Sequence, residues 1–312
     1  MKKFFNCNKI IQSQILFDIY FNYSCNYNCY YCYSKKNNLK ISDKQLELII
    51  NFFKRLNNIT LPNLKILGGE PLLYDKLFYF IDSIYEFSNY YVDLTTNFSL
   101  LNDKNIDLLN NYKTKNFRIE LSIHPQYINE QYLKHFFNII SKLKININII
   151  VNLDLNYKNQ INDFIKLLNN KITSNVHKNY SNINIIYNPI IFNGFKNDFK
   201  DFDIDFNDRN ENLNHIYMFG NKKYSFTEIY NLMKKKYKFN FKNKVFCDLK
   251  YFSIYPENQT DTNVFFQQQC TNKLFTEDKI LNTINNKSFF TRCSSDFCDY
   301  SCYFDLNKIF MK

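Results

Sequence analysis

Up to about residue 190 the chain alternates short apolar runs with stretches whose apolar residues recur at helical spacing, and this alternation most constrains its fold. The runs predict strands near 15–22, 63–68, 90–97, 116–123, 145–152 and 183–190. The intervening patterns predict helices near 42–57, 74–88, 103–111, 128–143 and 157–170. Strands joined by helical crossovers run parallel, so the expected class is α/β. The order is the one a partial (β/α)6 barrel requires, and such barrels place reactive groups at the carboxyl ends of their strands.

Two unusual segments fall there. Directly after the first run, Ile15-Leu16-Phe17-Asp18-Ile19-Tyr20-Phe21, stands Cys25-Asn26-Tyr27-Asn28-Cys29-Tyr30-Tyr31-Cys32. Three thiolates at this spacing can hold an iron–sulfur cluster. A four-iron cluster normally takes four cysteines, so one iron is left open to a ligand that is not protein. After the second run comes Gly68-Gly69-Glu70-Pro71, which contains two of only four glycines in the chain. Adjacent glycines let the backbone approach a ligand closely, and the following carboxylate suits an ammonium group.

Together these elements resemble the radical S-adenosylmethionine (SAM) superfamily, whose core is a partial TIM-like barrel. The resemblance implies a 4Fe-4S cluster on Cys25, Cys29 and Cys32, with the amino and carboxylate groups of SAM on the open iron. It implies reductive cleavage of SAM to a 5'-deoxyadenosyl radical that abstracts hydrogen from a substrate. It assigns Gly68, Gly69 and Glu70 to the SAM amino group and Tyr31 to packing near the adenine. Ser122, Asn152 and Thr96, at later strand ends, become candidate SAM contacts, and the backbone around Pro189 an adenine platform. A polar residue at a strand end is as readily a turn former or a helix cap. The sequence departs from the family in having Asn97-Phe98 where Asn-Gly is usual, and no glycine-rich element near the fifth strand. His124, beside Pro125, would face the cluster chamber as an acid, a base or a substrate contact; the plainer reading is a hydrogen-bonded histidine of the barrel rim.

Residues 192–222 show little periodicity and suggest an irregular insertion. Tyr224 to Tyr237 carries Ile229, Leu232 and Met233 at helical spacing and would be a sixth helix. The expected division is a barrel over 1–237 and a small cysteine-rich extension over 238–312. Tyr251 to Asn258 followed by Val264-Phe265-Phe266 reads as a β-hairpin with its turn near Pro256. Cys247 and Cys270 flank it, followed by Cys293, Cys298 and Cys302. This resembles the auxiliary-cluster extension called SPASM or its shorter form, twitch. Five cysteines suffice for one fully ligated 4Fe-4S cluster, with one of the last three spare. Four cysteines in a loop-rich region also suit tetrahedral zinc, which stays open. Cys7 stands alone and reads as a small buried apolar residue.

Nine clustered cysteines among 312 residues do not make a secreted disulfide scaffold. Met1-Lys2-Lys3 opens no signal peptide, and no apolar run reaches the length of a membrane span, so a cytoplasmic location is expected. A net charge of +11 beside 33 Phe and 25 Tyr brings a stacking surface for nucleic acid to mind. Lysine is spread along the chain rather than clustered, and the aromatic, Asn- and Lys-rich bias follows A/T-rich codons, so nucleic acid is not the favoured partner. The resemblance favours a peptide or protein substrate, and leaves open a carbohydrate-like metabolite to be dehydrogenated or epimerised, or an RNA. Only 24 residues precede Cys25, too few for a separate leader-peptide domain. An electron donor such as flavodoxin or ferredoxin is the other expected partner. An iron–sulfur electron carrier or redox sensor would need the cysteines but has no use for Gly68-Gly69-Glu70.

Overall fold

The structure, a computed structural model, describes residues 15–32, 37–173, 183–189, 191–192, 195–196, 216–219, 222–225, 245–248, 251–268, 273–285, 290–292 and 310–311. Six strands, β1 (Leu16–Tyr20), β2 (Asn63–Leu67), β3 (Tyr91–Thr96), β4 (Phe117–Ile123), β5 (Asn146–Leu153) and β6 (Ile183–Pro189), lie side by side in chain order and all run parallel. Their crossovers contain α1 (Asp43–Asn57), α2 (Leu77–Phe87), α3 (Asp103–Asn110), α4 (Glu130–Lys142) and α5 (Lys158–Thr173). The partial α/β barrel expected from the alternation is therefore present.

Local chemistry starts these helices where the sequence changes period. Ser42 caps α1 by accepting from Gln45 N, and the Gln45 side chain returns to Ser42 N at 2.9 Å, a reciprocal capping box. Asn102 and Asn129 cap α3 and α4 without the return bond, accepting from Asn105 N and Tyr132 N.

After β6 come β7 (Ile191–Phe192), β8 (Phe195–Lys196), β9 (Ile216–Phe219), β10 (Lys222–Ser225), β11 (Val245–Asp248), β12 (Tyr251–Ile254), β13 (Phe265–Gln268), β14 (Leu274–Thr276), β15 (Phe290–Arg292) and β16 (Phe310–Met311). β7 pairs with β8 and β9 with β10, both antiparallel. The stretch expected to be irregular thus holds paired strands, and Tyr224 lies in β10 instead of opening a helix. Gly220-Asn221 between the two partners in sequence is a hairpin signal that the helical spacing of the residues after Tyr224 obscured. Residues 226–237 of the expected sixth helix lie outside the described residues.

The predicted hairpin is present as β12 and β13, antiparallel, with a short 3-10 turn at Pro256–Asn258 in its connection. It is hydrogen-bonded into the main sheet. β12 runs parallel to β1, in the register Phe17↔Phe252, and β13 and β14 extend that edge, giving nine strands in the order β14-β13-β12-β1-β2-β3-β4-β5-β6.

Because side chains alternate across a strand, neighbouring rungs of this sheet face opposite ways. Phe252, Phe17, Leu64, Val92 and Phe117 align on one face, all at most 1% exposed. Phe17 meets Phe52 and Phe53 of α1 edge-on, with centroids 5.7 and 5.3 Å away. The next rung, Ser253, Asp18, Lys65, Asp93 and Arg118, turns into the barrel. Arg118 holds Asp93 with two bonds of 2.7 Å, Lys65 meets Glu120 at 2.9 Å, and Tyr251 donates to Asp18. Among the described residues no helix is long and apolar enough to cross a membrane.

Candidate functional site

The cysteine segment is an excursion from the carboxyl end of β1 that is closed at its base. Tyr23 N donates to Leu39 O at 3.1 Å and Ile41 N to Phe21 O at 2.8 Å, around an Asn22–Lys40 bridge. Cys25 and Cys29 are partly exposed, Cys32 is exposed, and all three are free thiols.

The end of β2 packs directly against this base. Gly69 N donates to Asn22 O at 2.9 Å and Glu70 N to Ser24 O at 2.7 Å. A Cβ on Gly69 would stand 2.1 Å from Ser24 O. One on Gly68, whose φ is +149°, would stand 2.6 Å from Asn22 O. The close approach these glycines permit is therefore to the chain's own cysteine loop, one residue before Cys25.

Glu70 is 1% exposed. Its carboxylate accepts from Thr96 Oγ1 at 2.6 Å, Asn97 N at 2.8 Å and Leu72 N at 3.1 Å. Burial pushes its carboxyl up to about 6, against the pull of these donors. Asn97 passes the connection on, with Nδ2 3.0 Å from Asn26 Oδ1 and 3.8 Å from Cys25 Sγ. Phe98 follows with φ 54°, the left-handed conformation that explains why glycine is usual there in the family this chain resembles. Its fully buried ring packs against Tyr132 and Phe136, centroids 4.9 and 5.4 Å away, which offsets the backbone strain.

The loops after β4 and β5 clamp the excursion from the other side. Asn28 N donates to Tyr127 Oη at 2.6 Å, Gln126 Nε2 to Asn28 O at 3.1 Å, and the Tyr27 and Tyr127 rings stack with centroids 3.8 Å apart. Tyr30 donates to Asp154 and accepts from Asn156 Nδ2 at 3.1 Å. His124 sits at the cysteines, its Nδ1 3.3 Å from Cys29 Sγ and 2.7 Å from Tyr31 Oη. Desolvation pulls its imidazole down to about 4.

Of the other sequence candidates, Ser122 and Asn152 are brought together. Asn152 Nδ2 donates to Ser122 Oγ at 3.1 Å and to Ile123 O at 2.9 Å. Thr96 is buried and committed to Glu70. Pro189 ends β6 in register with Leu153. Cys247 lies on β11, which pairs with β15 (Cys247↔Thr291) and β16. Cys7, Cys270, Cys293, Cys298 and Cys302 lie outside the described residues.

The sequence reading did not single out Asn26, Ser99, Tyr127 or Asp154, which hold the cysteine loop. Nor did it single out the charged rung beneath it. There, burial together with Glu120 pushes the Asp93 carboxyl up, while Glu120 is held low by Lys65 in spite of burial. Polar residues at alternate positions within the strands, Asp18, Lys65, Asp93, Arg118, Glu120 and Asn148, were the available signal, since parallel strands covered on both faces ordinarily read as apolar throughout.

The donor set suits thiolates. Cys25 Sγ receives Tyr27 N–H at 3.4 Å and faces the Asn97 amide, and Cys29 Sγ faces His124. Among the described residues no three His, Cys, Asp or Glu side chains converge on a single metal ion. That is compatible with a larger group whose thiolates each bind a different iron.

Residues 19–156 match the radical SAM superfamily. No curated protein sequence matches the chain. The fold is similar to that of anSMEcpe with bound AdoMet, at 17% identity and a TM-score of 0.50 over 88% of this chain and 82% of that one. The structure of anSMEcpe with AdoMet and the Cp18Cys peptide gives 18% identity and 0.51 over the same shares. Streptococcus suis SuiB bound to S-adenosylmethionine gives 17% identity and 0.40 over 58% of this chain. The aligned part amounts to 41% of the SuiB chain, well under two thirds of its length.

Proposed function

We propose that this chain is a radical SAM enzyme acting on a peptide or protein side chain. The carrying observation is the juxtaposition of the three-cysteine loop with Gly68-Gly69-Glu70 at the carboxyl ends of β1 and β2, inside the matched region. Cys25, Cys29 and Cys32 would hold a 4Fe-4S cluster. When bound, cluster and SAM supply an electron and a sulfonium whose reductive cleavage yields methionine and a 5'-deoxyadenosyl radical.

The protein's part is binding and orientation. Glu70 fixes Thr96, Asn97 and the Leu72 turn, and so sets the floor on which the SAM amino end would rest. Asn97 and Asn26 hold Cys25 in place, while Tyr127 and Asp154 hold the turn between Cys25 and Cys32. The bonded pair Ser122 and Asn152, with Tyr31 and the backbone at Pro189, is the proposed wall for the ribose and adenine. Cys247 and Cys270, with two of Cys293, Cys298 and Cys302, would hold one auxiliary 4Fe-4S cluster in a twitch-like extension. An electron donor of the flavodoxin or ferredoxin type completes the system. The peptide-bound anSMEcpe structure, which shares this fold over most of both chains, supports the substrate class.

The test is anaerobic reconstitution of the wild type and of the Cys25, Cys29 and Cys32 to Ala triple variant, followed by incubation with SAM and a strong reductant. We expect about eight irons to fall to about four, and 5'-deoxyadenosine to form only with the wild type. A triple variant that keeps all of its iron refutes the assignment.

A further inference from the structure

His124, Tyr31 and Cys29 form a closed triangle that the binding of SAM does not explain. Nδ1 of His124 is 3.3 Å from Cys29 Sγ and 2.7 Å from Tyr31 Oη, and the Tyr31 hydroxyl also reaches Cys29 by a hydrogen bond. His124 is fixed at its backbone and on two sides of its ring. Its backbone N–H donates to Tyr132 Oη at 3.3 Å, Tyr27 meets the ring edge-on at 5.7 Å, and Tyr31 lies nearly parallel to it at 6.0 Å with 14° between planes. A ring held this firmly keeps Nδ1 aimed at the sulfur. Pro125, next in sequence, starts a short 3-10 turn and sets the exit direction of the backbone.

Only certain proton arrangements satisfy this triangle. If Tyr31 donates to an unprotonated Nδ1, the sulfur receives nothing from either group. If Nδ1 carries the proton, that proton is shared between Tyr31 Oη at 2.7 Å and the sulfur at 3.3 Å, and the hydroxyl is free to donate its own proton to the sulfur. A thiolate is an acceptor only, so a Cys29 that ligates iron selects the second arrangement.

We infer that His124 Nδ1–H and the Tyr31 hydroxyl are hydrogen-bond donors to the Cys29 thiolate, and that they raise the reduction potential of the cluster bound there. The inference rests on the reading of Cys25, Cys29 and Cys32 as cluster ligands. Donors to a ligand sulfur favour the reduced, more negative state of the cluster, and second-shell partners of this kind are a recognised control on potential. His124 is thereby a positioning and tuning residue, a role distinct from general acid, base or substrate contact. Cys25 has donors of its own, Tyr27 N–H at 3.4 Å and the Asn97 amide at 3.8 Å.

The test compares the reconstituted full-length wild type with His124→Phe, His124→Gln and Tyr31→Phe. The readouts are iron content and the midpoint potential of the electron paramagnetic resonance signal that SAM perturbs. The Cys25, Cys29 and Cys32 to Ala triple variant provides the background of any other cluster. His124→Phe is expected to keep its iron and to titrate at a more negative potential. His124→Gln, whose amide can donate to the sulfur, is expected to return toward wild type. Tyr31→Phe is expected to shift in the same direction as His124→Phe. An unchanged potential in an iron-loaded His124→Phe protein overturns the inference. If that variant takes up no iron, Tyr31→Phe decides alone, and an unchanged potential there overturns it equally. A wild type with no SAM-perturbed signal, or a triple variant that retains all iron, refutes the cluster reading itself and the inference with it. That failure is distinguishable from a cluster whose potential ignores His124.

Discussion

Two adjacent rungs of the central sheet are built from opposite materials. The rung Phe252, Phe17, Leu64, Val92 and Phe117 is apolar and covered by helices, whereas its neighbour Ser253, Asp18, Lys65, Asp93 and Arg118 is polar or charged and turned into the barrel. The first is held by area removed from water, which is insensitive to which apolar partner is met. The second is held by pairing, where each charge depends on the few partners placed beside it. One face supplies stability and the other supplies a fixed polar floor beneath the cysteine loop.

The comparison is broken most directly on the apolar side. Phe17 is fully buried among Phe52, Phe53, Phe252 and Phe266, so Phe17→Ala should cost about 3–5 kcal/mol in urea unfolding. A loss under about 1 kcal/mol would mean that this rung is not the core.

On the charged side the single and double variants should diverge. Asp93→Ala leaves Arg118 with Glu120 at 3.8 Å as its ion-pair partner and 23% of its side chain exposed, so the loss should be about 2–3 kcal/mol, below that of a fully buried pair. Replacing Asp93 and Arg118 together by Leu should be close to neutral, because it removes both desolvated charges at once. If the double variant loses as much as the single, the pair contributes net stability and the contrast between the rungs narrows.

Asp18 sharpens the contrast through pH. Burial pushes its carboxyl from 3.8 up to about 6, against Lys65 and the bond from Tyr251, and its Oδ1 has no hydrogen-bond partner among the described residues. The folded chain therefore binds this proton more tightly than the unfolded chain. Its contribution to stability is present in full below about pH 4 and declines as pH rises to about 6. Asp18→Asn lacks the titration, so its stability relative to wild type should rise across that window by about 3 kcal/mol and stay level above it. Urea midpoints at pH 4, 5, 6 and 7 would show this. A flat difference would mean that Asp18 is not the group that responds.

These rungs also show what a single sequence displays and what it withholds. The period of two in Leu16-Phe17-Asp18-Ile19 and the Ser42 to Gln45 capping box are local, so strand and helix positions were legible to within a few residues. The cysteine spacing and the glycine pair were legible for the same reason. Partners were not: that Lys65 would meet Glu120, or that β12 would pair with β1 across more than two hundred residues, is settled by the register of the assembled sheet. The glycine pair was visible, but its nearest partner proved to be the chain's own Asn22 and Ser24 backbone. β10 was missed because its four residues pair with β9, a contact that helical spacing in the following text masked.

The smallest expected effect comes from neighbouring threonines that face opposite ways. Thr95 Oγ1 donates to Glu120 Oε2 at 2.8 Å, within the charged interior. Thr96 Oγ1 donates to Glu70 Oε1 at 2.6 Å and accepts from Phe98 N at 3.0 Å, where the backbone is left-handed. Valine nearly preserves the volume and deletes the hydroxyl in each case. Thr95→Val should cost about 1 kcal/mol, since Glu120 retains Lys65 and Asn148, and it should leave SAM affinity unchanged. Thr96→Val should cost a similar amount but weaken SAM binding, because it loosens both Glu70 and the Asn97–Phe98 turn that leads to Cys25. Calorimetric titration of reconstituted protein with SAM separates the two. Equal loss of SAM affinity in both variants would show that the polar interior and the glycine motif act as one unit, which the alternation of the strand argues against.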